Sequence, residues 1–320
     1  MESWQVPAAT ERLAADLHET DATPGSTGKG RIGRYLAAPW ATYIDKGAMA
    51  PADETVLRER ADRFHRDAAG AGHRLELHTV CQHIYWQKLL PFWREIGLTD
   101  LHLSHLEPDV HLADIRVHSW HLAAANVINQ ERREGLVFAR PPRAKRYLAS
   151  FIGAHMPHYR ADTRLRLADE VTRDGFHDVL YELKGEWHYD PVVHRQQVAG
   201  ETLGAAELAA EHAATVHYNE VLSDSVFALC PEGAGPNTIR LWEALAVGAV
   251  PVVVVEKWVW PTIPGDDLAW HDAVVAVRRD EIPGLFDRLR WMRRFEADRV
   301  LVLQTNAMEI YRRFQAKRCF

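Results

Sequence analysis

Residues 225–256, SVFALCPEGAGPNTIRLWEALAVGAVPVVVVE, contain the pattern that decides the predicted fold. A buried strand is followed by a turn rich in glycine and proline, then by a helix, and then by a strand made almost wholly of valine. Such a continuous apolar run is typical of a parallel strand that is covered on both faces. The segment therefore predicts a βαβ unit whose turn lies at the carboxyl end of the first strand, where open α/β sheets bind their ligands.

Predicted strands and helices alternate along the rest of the chain as well. In the first half we predict strands at 35–44, 75–80, 101–104 and 115–120, with helices from residue 53 and at 84–96. In the second half we predict strands at 147–154 and 179–183, a basic helix after residue 157 and an alanine-rich helix at 195–212. Two such halves predict an α/β fold of two Rossmann-like domains that face each other across a cleft.

Changes in composition suggest where the domains begin and end. Residues 1–30 end in TPGSTGKG and predict a flexible lead-in with at most one short helix and no chemistry. The charged and proline-rich segment 131–146 predicts the hinge between the halves. We therefore expect an N-terminal domain at 31–135, a C-terminal domain at 136–290 and closing helices at 291–320.

The composition excludes several classes of protein. With 320 residues, 47% hydrophobic and 26% charged, the chain has the composition of a folded protein, and its net charge of −6 argues against a nucleic-acid partner. Three cysteines without CxxC spacing fit a reducing compartment, and the acidic N-terminus does not resemble a signal peptide. We expect a cytoplasmic protein; peripheral membrane association and any oligomeric state stay open.

The turn and the helix in residues 231–243 suggest a ligand site. Gly233 and Gly235 permit backbone angles and a close approach that side chains would block, and Asn237 or Thr238 can cap the helix, whose first amides attract anions. Arg240 and Glu243 then lie on one side of the helix. They could form a salt bridge on a solvated face, or bind the phosphate and the hydroxyl groups of a nucleotide sugar.

Residues 227–254 resemble the C-terminal signature of the exostosin-like glycosyltransferases. In that family a strand that ends in Pro-x-Gly is followed by Arg-x-x-Glu-Ala on a helix and by a Gly-x-x-Pro-Val strand. YNEVLSDSVF at 218–227 and FIGAHMPHYR at 151–160 are similar to further family elements, so the resemblance spans roughly 147–256. It implies a GT-B fold, with the nucleotide sugar bound by the C-terminal domain and the acceptor by the N-terminal one.

The resemblance also implies the reaction and part of the site. A sugar would pass from a nucleoside-diphosphate sugar to an acceptor hydroxyl, on a glycan or a small molecule, with inversion as in much of the family. The family motif places donor binding at Arg160, Thr238, Arg240 and Glu243. A helix N-terminus with two arginines can stabilise a leaving diphosphate, and the chain has no DxD sequence, so we expect neither a metal nor another cofactor.

The general base should come from the N-terminal domain, at the carboxyl end of a strand. Asp45, His83, and His105 with Glu107 are the candidates there. We favour His83, because a following helix would keep its imidazole neutral and able to accept a proton, and we place Asp45 second. His83 could instead be a turn residue that hydrogen-bonds the start of the helix, and the base could be none of these residues.

Other readings of the sequence remain as alternatives. HxxH pairs occur at 102/105, 118/121 and 155/158, but without a third ligand nearby they are a weak sign of zinc. Cys81 and Cys230 end predicted buried strands, which favours core packing over nucleophilic chemistry. A nucleotide-sugar epimerase or hydrolase of the same fold would form product without an acceptor, and an inactive nucleotide-sugar-binding protein would bind without turnover.

Overall fold

The computed structural model describes residues 3–19, 25–26, 30–157, 159, 161–175, 177–263, 265 and 269–319. The chain forms two compact units, each built around one five-stranded sheet. The N-terminal unit comprises Met1–Leu122, Val259–Thr262 and Ala316–Phe320, and the C-terminal unit comprises Ala123–Trp258 and Ile263–Gln315. The predicted α/β fold with two Rossmann-like units is confirmed.

The strands of the N-terminal unit lie side by side in chain order. They are β1 (Gly25–Ser26), β2 (Arg31–Tyr35), β3 (Arg74–Cys81), β4 (Asp100–Leu103) and β5 (Arg116–Ser119). The pairing of β1 with β2 is antiparallel, and the other three pairings are parallel. The helices are α1 (Thr10–Glu19), α2 (Trp40–Lys46), α3 (Pro51–Gly70) and α4 (Leu90–Glu95), and a 3-10 turn at Trp86–Leu89 precedes α4.

The side chains of β3 show how both faces of this sheet are covered. Leu75, Leu77 and Cys81 pack into the core that includes apolar residues of α2, α3 and α4. Val80 points to the opposite face and packs against two alanines of α1. This alternation is the period of two that a strand imposes on its side chains. Since both faces are covered, the carboxyl end of the sheet is where polar side chains can collect.

The strands of the C-terminal unit have the order of a doubly wound sheet. They are β6 (Tyr147–Ala154), β7 (Val179–Lys184), β8 (Ser225–Pro231), β9 (Val250–Val254) and β10 (Val275–Val277), in the order β10-β9-β8-β6-β7. All four pairings are parallel. From β6 the chain first adds β7 on one side and then β8 on the other, so the order reverses between β6 and β8. In open α/β sheets ligands bind at the carboxyl end of this switch point.

Helices of the C-terminal unit pack against the strands of that sheet. The helices of this unit are α5 (Ala125–Ile128), α6 (Thr163–Asp174), α7 (Ala205–Ser223), α8 (Ile239–Val247), α9 (Leu285–Phe295) and α10 (Ala297–Phe314). The Val-rich strand β9 is completely buried, as its composition predicts. None of the helices within the described ranges combines the length and the apolar character needed to cross a membrane.

Three predicted elements were wrong in type or extent. The strand predicted at 35–44 is mostly the helix α2, because an unbroken run of buried residues does not distinguish a strand from a buried helix. The helix predicted at 84–96 is interrupted, since Pro91 occupies the first turn of α4. The alanine-rich helix begins only at residue 205, after a π-helical segment at Pro191–Val198.

The observed units also differ from the predicted domain limits. The predicted lead-in contains the one short helix that we allowed for, α1, and Ala14 and Ala15 of this helix are almost completely buried. The segment 131–146 lies within the C-terminal unit, where Arg132 donates to Thr215 of α7 and the Ala139 amide donates to the Val247 carbonyl of α8. The chain therefore passes from one unit to the next at residues 122–123, and residues 291–315 belong to the C-terminal unit.

Candidate active site

Two arginines bridge β6 and β8 at the switch point of the C-terminal sheet. Backbone pairing of these strands runs from Tyr147 and Ser225 to Ser150 and Ala228, while both strands continue further. Beyond the last pair, Arg240 of α8 fills the gap: its Nε donates to the Leu229 carbonyl at 3.0 Å, and its Nη2 donates to the carbonyl and the hydroxyl of Ser150 at 2.8 and 2.9 Å. Arg240 thus links the two strands at the point where their backbone hydrogen bonds end.

Arg164 of α6 makes a second bridge closer to the strand ends. Its Nη1 donates to the Ala154 carbonyl at the end of β6, and its Nε donates to the Glu232 carbonyl just after β8, at 3.1 Å. Burial lowers the pKa of the Arg164 guanidinium. The ring of Phe151 lies near both cations, 5.2 Å from the Cζ of Arg164 and 5.8 Å from that of Arg240. The two arginines therefore bring their positive charges to one place.

Within the described residues, neither of these two charges is part of an ion pair. Among the described residues, no carboxylate lies within salt-bridge distance of Arg164 or Arg240. The Nη1 of Arg240 is buried, and no acceptor for it is found in the described part of the chain. Buried guanidinium groups without carboxylates raise the local positive potential and favour an anion nearby. The carboxyl end of the switch point is thus suited to a phosphate group.

The turn at residues 231–238 is shaped by Arg164. A Cβ placed on Gly233 would lie 2.6 Å from the Nη2 of Arg164, and Gly233 does not adopt a positive φ. The glycine is therefore required for space and not for a left-handed backbone, which corrects one half of our prediction. The Gly235 carbonyl accepts a hydrogen bond from the Gly233 amide at 3.1 Å, which closes the turn.

The two polar residues before α8 have different functions. Thr238 is the N-cap, since its hydroxyl oxygen accepts a hydrogen bond from the Leu241 amide at 3.3 Å. The Asn237 side-chain oxygen instead accepts a hydrogen bond from the indole Nε1 of Trp242 at 2.9 Å, inside the core. Thr238 thus directs the start of α8 toward the turn, and Asn237 holds the helix on the core.

Glu243 lies in a closed polar environment. Its exposed fraction is 1%, and its carboxylate accepts hydrogen bonds from the hydroxyls of Tyr218 and Tyr189, at 2.6 and 3.1 Å, and from the Asn126 amide at 2.9 Å. Burial raises the pKa of Glu243, and these hydrogen bonds oppose the increase. Arg240 and Glu243 are both buried, so the alternative of a salt bridge on a solvated face is wrong, although the two groups interact electrostatically.

The hydrogen bonds around Glu243 continue into a larger buried network. Asn126 donates to Asn219 at 3.0 Å and accepts from Arg132 at 2.9 Å, and Arg132 forms an ion pair with Glu211 at 2.7 Å. Tyr189 comes from the segment between β7 and α7, which was predicted as part of no site. In this conformation, therefore, the hydroxyls of Tyr189 and Tyr218 are hydrogen-bonded to the carboxylate that we expected to bind a ribose.

Arg160, the fourth residue carried over from the family motif, lies outside the described residues. The neighbouring Arg164, four positions later, is the arginine that the structure places on the turn. The basic character of the predicted helix after residue 157 was the available signal, but spacing alone could not show which arginine of that helix reaches β8. Its position depends on the packing of α6 against the sheet.

In the N-terminal unit, two of the three candidate bases form one pair. The Nε2 of His83 lies 2.9 Å from Oδ1 of Asp45, and the Nδ1 of His83 accepts the Tyr85 amide hydrogen at 2.9 Å. His83 therefore carries its proton on Nε2 and donates it to Asp45, which also accepts a hydrogen bond from the Gln5 side chain. Both side chains are partly exposed, at 14% and 17%. Asp45 and His83, which we treated as alternative bases, are therefore hydrogen-bonded to each other.

The third candidate differs from this pair. Desolvation lowers the pKa of His105 to about 3, and a charge on His83 would lower it further. His105 would therefore stay neutral across the physiological range. Glu107 lies in the loop after β4, where its carbonyl accepts a hydrogen bond from the Val110 amide at 3.1 Å.

Metal ligation and thiol chemistry receive little support from the described residues. Within those ranges, no three histidine, cysteine, aspartate or glutamate side chains converge as metal ligands. Cys81 and Cys230 are buried core residues, as predicted, and burial raises the pKa of the Cys230 thiol to about 12. A thiol with such a pKa is a poor nucleophile at neutral pH.

Comparison with known proteins agrees with the motif. The Exostosin GT47 domain family matches residues 120–292, which is more than half of the chain and includes the whole β6–α8 region. A probable glucuronosyltransferase from Oryza sativa subsp. japonica is 37% identical over 79 residues, and a probable beta-1,4-xylosyltransferase from Arabidopsis thaliana is 34% identical over 79 residues. Each match covers 25% of this chain but only 17% and 18% of these relatives.

Among solved structures, an α,α-trehalose-phosphate synthase (UDP-forming) from Burkholderia xenovorans is similar over 86% of this chain and 79% of that one. The sequence identity is 12% and the TM-score 0.39. The signature around β8 and α8 and the length of the family match carry the assignment. The chain belongs to the exostosin GT47 family of glycosyltransferases.

Proposed function

We propose that this protein transfers a sugar from a nucleoside-diphosphate sugar to an acceptor hydroxyl, and that its C-terminal unit binds the donor. The observation that carries the proposal is the pair of buried guanidinium groups, Arg164 and Arg240, at the carboxyl end of the switch point. Neither forms an ion pair within the described residues, although Glu243 interacts electrostatically with Arg240, and both lie in the region that matches the family. A diphosphate is the ligand that such a charge arrangement favours.

We place the diphosphate between the turn and the start of α8. Gly233 leaves the space beside the turn to the Arg164 guanidinium, the Gly235 carbonyl closes the turn, and Thr238 caps the helix whose first amides face the anion. The two arginines are already fixed by carbonyl groups, so they need little reorganisation when negative charge develops on the leaving group. Fixed positive charges of this kind can replace a metal ion, and we therefore keep metal independence as part of the proposal.

Glu243 is proposed to meet the ribose after one exchange of hydrogen bonds. Tyr189 donates to its carboxylate at 3.1 Å, the longest of the three hydrogen bonds that it accepts. A ribose hydroxyl could take over this acceptor if Tyr189 moved away. Tyr218 and Asn126 would then continue to hold the carboxylate in place.

The base is proposed to be Asp45, oriented by His83. The acceptor oxygen would attack the anomeric carbon while its proton moves to Asp45 and the bond to the diphosphate oxygen breaks, with inversion at that carbon. His83 is less suited to this step, because its one basic nitrogen already accepts the Tyr85 amide hydrogen. The structure thus favours Asp45 over the residue that we preferred from the sequence.

The names of the relatives suggest which donors to test first. They are a probable glucuronosyltransferase and a probable beta-1,4-xylosyltransferase, so UDP-glucuronic acid and UDP-xylose are the first choices. The acceptor is proposed to be a glycan or a small molecule. The cytoplasmic localisation and the peripheral membrane association stay predictions.

Calorimetric binding of UDP and of uridine tests the donor site. We expect UDP to bind and uridine to bind at least about 100-fold more weakly, because only UDP presents phosphates to the two arginines. Arg164→Gln and Arg240→Gln should each weaken UDP binding by about tenfold or more. Arg166→Gln is the matched control, since Arg166 lies on the same helix, 53% exposed and paired with Asp162. Unchanged UDP affinity in both site variants would exclude the proposed donor site.

Turnover with the two donors separates this function from its alternatives. A transferase releases UDP faster when an acceptor is present, whereas a hydrolase or an epimerase forms product without one. An inactive nucleotide-sugar-binding protein would bind UDP and release none from either donor across a panel of acceptors.

A further inference from the structure

Glu11 is a buried carboxyl group to which the proposed mechanism gives no role. It lies in the first turn of α1 with an exposed fraction of 3%. Its two oxygens accept the Ala41 amide hydrogen at 3.2 and 3.1 Å, and Oε1 also accepts the Gln82 amide hydrogen at 3.1 Å. A buried carboxyl group is costly unless its hydrogen bonds are satisfied, and here two backbone donors satisfy it.

The two amides belong to the elements that carry the proposed base. Ala41 is in α2, one helical turn before Asp45, and Gln82 directly precedes His83 at the end of β3. These elements are far apart in the chain, since Asp45 and His83 are separated by 38 positions. One carboxyl group therefore ties together the backbone segments whose side chains must meet.

The contacts are reciprocal, which makes the arrangement a clamp. The Gln82 side-chain oxygen accepts the amide hydrogens of Thr10 and Glu11 at 2.6 and 3.4 Å, while Glu11 accepts the Gln82 amide hydrogen. Gln5 donates to Asp45 itself. The N-terminal segment thus contacts Asp45 directly through Gln5, and through Glu11 it contacts the backbone near both members of the pair.

We propose that Glu11 is a positioning residue that holds Asp45 and His83 in hydrogen-bonding contact. The catalytic part of this inference depends on the proposed function, in which Asp45 is the base. Burial raises the pKa of Glu11 to about 8, and the negative charge of Asp45 contributes to the increase. The single oxygen Oε1 accepts both amide hydrogens, so the clamp does not need a full negative charge on Glu11 beside Asp45.

The side-chain proton of His83 provides a test that needs no enzymatic activity. In protein labelled with ¹⁵N-histidine, the Nε2 proton should give a slowly exchanging signal, because it is hydrogen-bonded to Asp45 and only 14% of the side chain is exposed. His83→Gln assigns this signal, and Asp45→Asn should weaken it. A wild-type protein without the signal would overturn the pair, and with it the inference.

Three variants of Glu11 separate hydrogen bonding from charge. Glu11→Ala removes the acceptor and should abolish the signal, whereas Glu11→Gln keeps one oxygen in the place of Oε1, which accepts both amides, and should retain it. Glu11→Asp keeps the carboxyl group but shortens its reach, so it should weaken the signal even if the alanine variant fails to fold. An unchanged signal in both Glu11→Ala and Glu11→Asp would overturn the inference, and loss in Glu11→Gln would overturn its hydrogen-bonding basis.

Asp53→Asn is the matched control for these variants. Asp53 is another buried carboxyl group of the same unit, and it accepts the hydroxyl of Tyr43 in α2 at 3.1 Å. Its hydrogen bond reaches α2, whereas the Gln82 amide beside His83 donates to Glu11. The His83 signal should therefore remain in Asp53→Asn, and its loss there would mean that any buried carboxyl group of the unit has the same effect.

A double-mutant cycle on turnover connects the clamp to the reaction. Glu11→Ala should lower kcat by about 10- to 100-fold with UDP affinity unchanged, because the base is misplaced while the donor site is intact. In an Asp45→Asn background the same change should cost less than about twofold. If Asp45→Asn itself leaves kcat unchanged, Asp45 is not the base and the mechanism fails, while the His83 signal still decides the inference about Glu11.

Discussion

Replacing Gly233 with alanine should destabilise the C-terminal unit by displacing Arg164. The new Cβ would lie 2.6 Å from Nη2 and 3.2 Å from Cζ of Arg164, whereas ordinary contacts begin near 3.4 Å. The end of an exposed arginine would simply move, but this guanidinium is 9% exposed and donates to the carbonyls of Ala154 and Glu232. Overpacking and a lost charge-assisted hydrogen bond cost about 1–3 kcal/mol each, so we expect about 3 kcal/mol in total.

Thermal unfolding and UDP calorimetry measure the effect. For a unit of about 190 residues, a loss of about 3 kcal/mol lowers Tm by roughly 6–12 °C. UDP affinity should fall as well, because the displaced arginine is one of the two proposed phosphate contacts. Gly185→Ala is the matched control: Gly185 is in the same unit, has no positive φ, and a Cβ there meets no atom within 4 Å, so its Tm should change little.

The origin of the penalty can be tested with the Arg164→Ala background. There the clash is absent, and Gly233→Ala should cost less than about 1 kcal/mol or even stabilise, since alanine reduces the entropy of the unfolded chain. A penalty of equal size in both backgrounds would refute the explanation that Gly233 makes space for Arg164.

Three further predictions concern the same structure. Tyr218→Phe removes the hydroxyl at 2.6 Å from the buried Glu243 carboxylate and should cost about 1–3 kcal/mol in urea unfolding, whereas Tyr85→Phe, with Tyr85 50% exposed, should cost almost nothing. Thr238→Ala removes the N-cap of α8 and should cost about 1 kcal/mol, with a return of stability in Thr238→Ser. Burial lowers the pKa of His78 from 6.5 to about 4, so the folded protein keeps it neutral while the unfolded chain binds a proton. The stability that neutral His78 contributes is therefore complete above pH 6.5 and is lost as the pH falls toward 4, by about 3 kcal/mol. Urea unfolding at pH 7, 5.5 and 4 measures this loss, and the loss should be smaller in His78→Gln.

The C-terminal unit was the more predictable half of the fold. Strands β6, β8 and β9 and helix α8 were predicted within a few residues, because a buried parallel strand and its crossover helix leave strong local patterns. The helix α2 was missed since the residues at 36–44 are all buried, and complete burial removes the periodicity that distinguishes helix from strand.

The sequence predicted which residues form the candidate site, but it did not predict which of them contact each other. Asp45 and His83 could each be placed at a strand or helix end, but their hydrogen bond depends on how β3 and α2 meet. Arg240 and Glu243 were found from their spacing, although both turn out to be buried and engaged with other parts of the unit. Arg164 and Glu11 had no local signal of their function, since their partners lie up to 71 positions away.

By itself, the sequence determined the α/β class, the βαβ unit at 225–256 and the family, because each of these depends on short-range patterns of side chains. Only the tertiary structure decided that Arg164 and Arg240 together bridge β6 and β8 and that Gly233 makes room for one of them. It also decided that Glu11 joins the backbones of Ala41 and Gln82, which lie next to Asp45 and His83 in α2 and at the end of β3. These contacts join residues distant in the chain. The physical reason is that a buried charge or carbonyl must find a partner in space, and spacing along a sequence does not show which partner is near.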